Sequence, residues 1–454
     1  MRLSKGASIL AWAACVSGQT LTLPDAVDRS VRQYPSVRVT REQVQSAVAQ
    51  IQLARTAYLP RVDAIAQVDR ATHNNVFGLI TPTSGIITAV TGPVLNSNSG
   101  SNVWNSTAGF LVAWEPFDFG LRSANVAVAE ASRNRAEAAV VRTQFELSAL
   151  TADAYLTVLA AEQTVKAAQA GVERSETLRR IVDALVRSEL RPGADLSRAA
   201  AEVAVSETQV IQAEQAVVMA KATLAQLTGA ELSQLEVTPA NLLALPPEAY
   251  LAGQPLVNNP IVKEQASVVE EARAKLHSLD RTYFPRFQLQ AMDYARGSGT
   301  LLDGHSQGGA NGLGPNINNW AIGFTATFSI LDLPALRARE AAQSASIRAE
   351  NSRSDQIAVE LKGRLNSAQA ALTGATRIAA VIPAELEAAR KGMQQATARY
   401  QAGLGNVVEV ADAQRLLTQA EINDSLAALG IWRAQLGVAA AGGDLQPFLD
   451  RAGR

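Results

Sequence analysis

From residue 121 to residue 189 the chain holds a single helical pattern, interrupted only by Gly171. At ~1.5 Å of rise per residue such a helix reaches ~100 Å, several times the width of a compact domain. An Ala-rich helix of that length is not stable by itself in water, so something must lie along its sides. Two shorter patterns have the right size. Residues 36–59 run without internal Pro or Gly up to Pro60, and residues 196–228 run up to Gly229. Laid end to end they span ~85 Å. Two short helices packed antiparallel against one long helix therefore bury the apolar stripes of all three. The apolar residues are mostly Ala, Leu and Val, and aromatics make up 5% of the chain. That balance suits closely packed helices better than a thick globular core.

Ahead of the long helix the period changes. Leu23-Pro24-Asp25-Ala26 opens a short helix ending at Tyr34-Pro35, and the helix of residues 36–59 follows. Over residues 61–69, Val62, Ala64, Ala66 and Val68 alternate with Asp63, Ile65, Gln67 and Asp69, which predicts a strand with one wet side. Residues 70–107, rich in Asn, Ser, Thr and Gly, predict a long exposed loop. A second strand over 108–115 sets Phe110, Val112 and Trp114 on one face. After Gly229, residues 230–254 form a Leu- and Pro-rich connector with one short helix, and then the pattern repeats.

Pro260 and Pro285 stand 225 positions after Pro35 and Pro60. Strands over 287–294 and 320–328 flank a Gly/Asn-rich loop at 297–318. Gly323 and Asp332 stand 214 positions after Gly109 and Asp118, the difference falling in the shorter loop. From there the offset holds: Gly403 falls on Glu189, Glu409 on Asp195 and Gly443 on Gly229. Such a register predicts two structurally equivalent halves. The second long helix covers 335–402 and its return helix 406–437. Pro383 interrupts it where the first has Gln169, and should kink it.

Residues 399–414, RYQAGLGNVVEVADAQ, turn the second long helix back on itself. Gly403 and Gly405 are able to take the left-handed backbone that ends a helix. Asn406 then caps the next helix with Glu409 three residues on, as in a capping box. Glu409 and Asp412 lie one turn apart on one face. A weaker copy, RSELRPGADLSR over 187–198, carries Pro192, Gly193 and Asp195. Read by themselves, Glu409 caps a helix, Asp412 is a solvated side chain and Asp195 is an N-cap.

The first 18 residues read as a secretory signal: Arg2 and Lys5, an apolar run, and a small-residue cleavage site at Val16-Ser17-Gly18. Lipidation at Cys15 is the alternative, Trp12-Ala13-Ala14-Cys15 approximating a lipobox. Cys15 is the single cysteine, so no internal disulfide forms. Net charge is −1 with mixed signs, which gives no footing for a nucleic-acid partner. No stretch approaches the ~20 apolar residues of a membrane helix, so any crossing is by strands. Four strands cannot close a spanning barrel, since the smallest have about eight, and an open edge in lipid leaves backbone groups unsatisfied. The strands therefore either join those of other copies or form two small hairpins on a soluble helical protein.

Nothing in the chain reads as a catalytic, cofactor-binding or metal site. His73, His277 and His305 lack ligand spacing, and four methionines do not make a copper path. The glycine runs at 312–315 and 403–405 lack the lysine and strand–helix context of a phosphate loop.

The duplicated layout, the NP/YP helix starts, the YLP and YFP helix stops and above all RYQAGLGNVVEVADAQ resemble the TolC-like outer-membrane efflux proteins, over nearly the whole mature chain. The resemblance implies a mainly α protein with membrane β-strands: a homotrimer whose subunits give four strands each to a twelve-stranded barrel, continued by a periplasmic α-helical tunnel. It divides the chain into a signal (1–18), a first repeat (19–229), an equatorial connector (230–254), a second repeat (255–443) and a C-terminal tail (444–454). It implies the outer membrane of a Gram-negative bacterium, a periplasmic adaptor, and an inner-membrane transporter reached through that adaptor. It also implies that Glu409 and Asp412 form acidic rings at the tunnel entrance, and that Tyr400 and Asp195 hydrogen-bond between neighbouring tips to hold it shut. Gly405 stands where one family pattern has an arginine latch, and Glu189 replaces a turn glycine, so the gate should be held more loosely. The rivals are a type I protein-secretion exit and, in a different class, a non-conducting trimeric coiled-coil spacer.

Overall fold

A computed structural model describes residues 20–72, 100–246, 256–301 and 305–453. The signal with Cys15, His73 with most of the first long loop, residues 247–254 of the connector and residue 255 lie outside the described residues. In chain order the elements are β1 (Thr20–Leu21), α1 (Leu23–Gln33), α2 (Pro35–Thr56), β2 (Arg61–Thr72), β3 (Asn102–Trp114), α3 (Leu121–Arg187) and α4 (Gly193–Thr228). There follow β4 (Glu236–Val237), α5 (Pro260–Arg281), β5 (Arg286–Ser298), β6 (Ile317–Thr327), α6 (Leu333–Gln401), α7 (Val407–Gly442) and α8 (Gln446–Ala452).

The order helix–strand–strand–long helix–helix thus occurs twice. α2 and α5 each have 22 residues and begin at Pro35 and Pro260. α4 and α7 each have 36, and each is followed by a left-handed glycine, Gly229 or Gly443. All four strands differ from the sequence expectation at their ends. β3 begins at Asn102 and β5 runs on to Ser298, taking in polar residues that read as loop. Pro383 lies inside α6, which runs unbroken through it. The tail beyond Gly443 carries the short helix α8. The connector supplies a 3-10 turn (Leu232–Gln234) and β4, which pairs in parallel with β1.

The chain divides into two compact units. One, from residues 46–133 and 270–348, holds an antiparallel sheet of order β2-β3-β5-β6, in which the β3–β5 pairing joins the two hairpins. The register sorts its side chains into two faces. Val62 opposes Val112, Val112 opposes Ala291 and Ala291 opposes Ile322, and all four lie on one apolar face. Much of that face is open: Phe110 is 60% exposed, Trp320 77% and Phe324 64%. The other face carries Asp63, Gln67, Gln290 and Thr325. β2 and β6 are edges, each with one row of backbone groups unpaired in the sheet. Gly109 faces Tyr294, where an added Cβ comes within 2.4 Å of the tyrosine Cβ, so a side chain there forces the strands apart.

Where the sheet passes into helix, Asp118 accepts from the backbone N of Arg122 at 2.6 Å and from its Nε at 2.9 Å. The Arg122 guanidinium also lies 4.8 Å over the Tyr58 ring. This ties the end of the helix before β2 to the start of α3. Burial pushes the Asp118 carboxyl up, but the hydrogen bonds and charge of Arg122 outweigh it and hold the pKa below its ordinary value.

The other unit contains the remaining helical segments and the main core. Tyr155 is fully buried, its hydroxyl 2.8 Å from the Leu21 carbonyl and 2.5 Å from that of Thr238, so it ties β1 and β4 to α3. Burial raises its pKa. Trp432 donates Nε1 to the Ala244 carbonyl at 3.0 Å and meets Phe448 of α8 edge-on. Gly443, at φ 87, leaves no room for a side chain: an added Cβ falls 2.7 Å from the Asn259 backbone.

The lowered Asp118 pKa fixes a pH dependence. A depressed folded-state pKa adds stability that is fully present above the unfolded value of 3.8 and is lost as pH falls through the folded value. Thermal unfolding of wild type and Arg122→Gln should therefore differ by a constant amount near neutrality and converge below about pH 4. A gap that persists unchanged at low pH would show that the carboxylate is not the source.

Candidate functional site

The two helical hairpins end in turns of the same construction. α3 closes with Leu190 N bonded to Leu185 O at 2.9 Å and Glu189 N to Val186 O at 3.0 Å. α6 closes with Leu404 N to Arg399 O at 2.9 Å and Gly403 N to Tyr400 O at 3.1 Å. Each pair is a Schellman motif, and the single left-handed residue it needs is Glu189 (φ 58) in one and Gly403 (φ 76) in the other. Gly405 is not left-handed, contrary to expectation, because the motif uses one such residue. Its smallness has another cause: an added Cβ there lies 3.2 Å from Glu409 Oε2 and 3.3 Å from Tyr400 N.

The return helices start differently. Asn406 caps α7, its Oδ1 accepting from Glu409 N at 2.9 Å. The Glu409 carboxylate reaches back to the Asn406 side-chain amide at 3.3 Å, not to its backbone N–H as in a full capping box. Pro192 occupies the cap position of α4 and makes no side-chain capping bond. Asp195 is therefore not an N-cap. It sits in the first turn of α4, where the helix dipole favours a carboxylate. Gly193 opens that helix with open space around it and an ordinary backbone.

Tyr400 joins the two turns. It is 1% exposed, in a small core with Leu178, Val182, Ala199, Val407 and Val410. Its hydroxyl donates to Asp195 Oδ2 at 3.3 Å, within one chain. Arg191 lies 4.5 Å over its ring and donates Nη2 to its carbonyl at 2.7 Å. Burial first, and then the Asp195 charge, raise the tyrosine pKa against the opposing pull of Arg191, so the hydroxyl stays a donor.

Glu409 and Asp412 are both exposed on α7, and each has a cation nearby. Arg399 Nε is 3.9 Å from Glu409, and Arg415 Nη1 is 3.5 Å from Asp412. Arg415 is already engaged, binding Glu202 of α4 through Nε at 2.8 Å and Nη2 at 2.7 Å. Further along, Ser175 donates to the Gly171 carbonyl at 2.7 Å and accepts from Gln414 at 2.7 Å. Ser206 Oγ lies 2.8 Å from Ser175 Oγ, and since the Ser175 proton is committed, Ser206 is the donor. Arg174 pairs with Glu421 at 2.7 Å.

Sequence reasoning singled out Tyr400 and Asp195 but missed Arg191, Glu202, Arg415 and the Ser175–Ser206–Gln414 set. Arg191 and Gln414 lay in stretches already marked, but the contact of Arg191 with a residue 209 positions on and that of Gln414 with Ser175 have no local signature.

The chain belongs to the outer membrane efflux protein family, whose pattern it matches over residues 26–230 and 251–444. Its fold is similar to that of the outer-membrane channel OprN, with 20% identity and TM-score 0.72 over 93% of this chain and 89% of that one. CusC, described for its transmembrane channel formation, gives 14% identity and TM-score 0.75 over 93% and 92%. The MtrE outer-membrane channel of Neisseria gonorrhoeae, in its open state, gives 17% and 0.69 over 93% and 89%. No curated protein matches by sequence. The family is one of TolC-like channels, not of enzymes.

The turns generate a paired test. Glu189→Gly should stabilise the first tip by about 1 kcal/mol, because a side chain in left-handed backbone is strained. Gly403→Ala should destabilise the second by a similar ~1 kcal/mol. Native-state hydrogen exchange of the tip amides reads both. Equal exchange in all three proteins would rule out the strain.

Proposed function

We propose that the protein is the outer-membrane exit duct of a tripartite efflux system, passing small toxic compounds outward and gated at its helical tips. The carrying observation is the four-stranded sheet with two open edges and one largely exposed apolar face. In water such a face invites aggregation, and in lipid such edges are forbidden. Three copies arranged edge to edge remove both problems: the edges close into one barrel, and the apolar face meets lipid. Two equivalent halves per chain then give the trimer its helical tunnel. As is general for this family, the duct works with a periplasmic adaptor and, behind it, an inner-membrane transporter.

In this reading the first tip is tied to the second by Tyr400, Asp195 and Arg191, and opening breaks those contacts. Arg191 takes the part of the arginine missing at Gly405. Glu409 and Asp412 line the entrance as acidic rings. Because Arg415 is satisfied by Glu202, the Asp412 carboxylate is the less compensated of the two. A conducting duct and a non-conducting spacer differ at this point. Asp412→Asn with Glu409→Gln should reduce cation selectivity in planar bilayers while trimers stay intact, the Asp412 change having the larger share. Unchanged selectivity in well-folded trimers would remove these side chains from the path.

A further inference from the structure

We propose that Arg70 and Trp104 form an anchor for an anionic lipid headgroup, taking its phosphate at the outer rim of the sheet. This rests on the duct reading, in which the apolar face meets lipid. On β2 the exposed face runs Val62, Ala64, Ala66, Val68 and then changes to Arg70 and Thr72. On β3 the same face carries two tryptophans, Trp104 just inside its start at Asn102 and Trp114 at its end, ten residues apart. That spacing is ~34 Å along a strand and ~26 Å at a 40° tilt, close to the height of an outer-membrane apolar band flanked by aromatic girdles. Trp114 marks the rim where the helices begin, and Trp104 marks the far one.

Arg70 stands directly opposite Trp104, its guanidinium 5.1 Å over the indole ring, and its Nε donates to Asn102 Oδ1. Ring and amide fix the plane of the guanidinium without neutralising it. Among the described residues it has no carboxylate partner, and its Nη groups make no hydrogen bond. Asp69 projects from the opposite face, where Asn105 bonds it at 3.4 Å. Asp293 shares the apolar face but opposes Phe110, six residues from Trp104 toward the other rim. Residues 73–99 contain no Asp, Glu, Lys or Arg, and the carboxylate of the β5–β6 connection, Asp303, lies outside the described residues. A planar, oriented and uncompensated guanidinium beside an interfacial tryptophan is complementary to a lipid phosphate, which accepts two parallel N–H bonds.

The test places purified trimers in nanodiscs of phosphatidylcholine with increasing brominated phosphatidylglycerol, and reads the quenching lost on Trp104→Phe. Against matched nanodiscs in which phosphatidylcholine is the brominated lipid, phosphatidylglycerol should be favoured about fivefold at Trp104, and Arg70→Gln should bring the ratio close to one. Quenching of Trp114 should not change, which separates a lost anchor from a disturbed sheet. An equal ratio in wild type and Arg70→Gln overturns the anchor alone. Loss of the preference on adding inorganic phosphate would assign the site to a free anion and overturns it too. Trimers that stay out of nanodiscs overturn both the anchor and the membrane reading.

Discussion

A helix of 67 or 69 residues holds its shape only through what lies beside it. Alanine along α3, α4, α6 and α7 brings the backbones close, yet close approach alone leaves such helices free to slide. Sliding is resisted by polar layers set into the apolar seams. Ser175, Ser206 and Gln414 form one inside the helical unit, Glu202 with Arg415 a second, and Arg174 with Glu421 a third. Each depends on register, and in the first a shift of one turn leaves the buried Ser175, Ser206 and Gln414 without partners.

Beyond these layers the tip is held by less. Its core is a handful of side chains around Tyr400, and its turns are exposed. The contacts that join the two turns are one long hydrogen bond, one ring-stacked arginine and one backbone bond. In the proposed duct, a firmly registered helical unit with a weakly joined tip is what a gate would require, since small free energies could then open the end without disturbing the rest. The sheet obeys a different constraint, the need to satisfy the backbone groups of its two edges, which the proposed trimer would meet by pairing them between copies.

Much of this was legible from residue spacing. The 214-residue offset aligned Glu189 with Gly403 and Gly229 with Gly443, and all four take left-handed backbone. That agreement reaches a backbone angle in a glutamate, where composition gives no hint of it. The common offset marked Pro35 and Pro260, which open α2 and α5, although the first helix was expected from residue 36, and the cap at Asn406 was equally plain. The strand ends were not, because Asn102 to Thr107 reads as loop although its polar residues belong to a paired strand. The cap assigned to Asp195 failed because a Pro-Gly start leaves that carboxylate inside the first turn. Arg191, Glu202 and Arg415 act across some 210 positions, and no local pattern marks such pairs.

The central claim is a conducting path shut by the contacts around Tyr400. Its most direct test is single-channel recording of purified trimers in planar bilayers, comparing wild type with Tyr400→Phe and with Tyr400→Phe/Arg191→Ala. Small, long-lived, cation-selective currents in wild type, with stepwise larger conductance in the single and double variants, are the predicted result. Silence from all three as verified trimers, or identical conductance in all three, would contradict it.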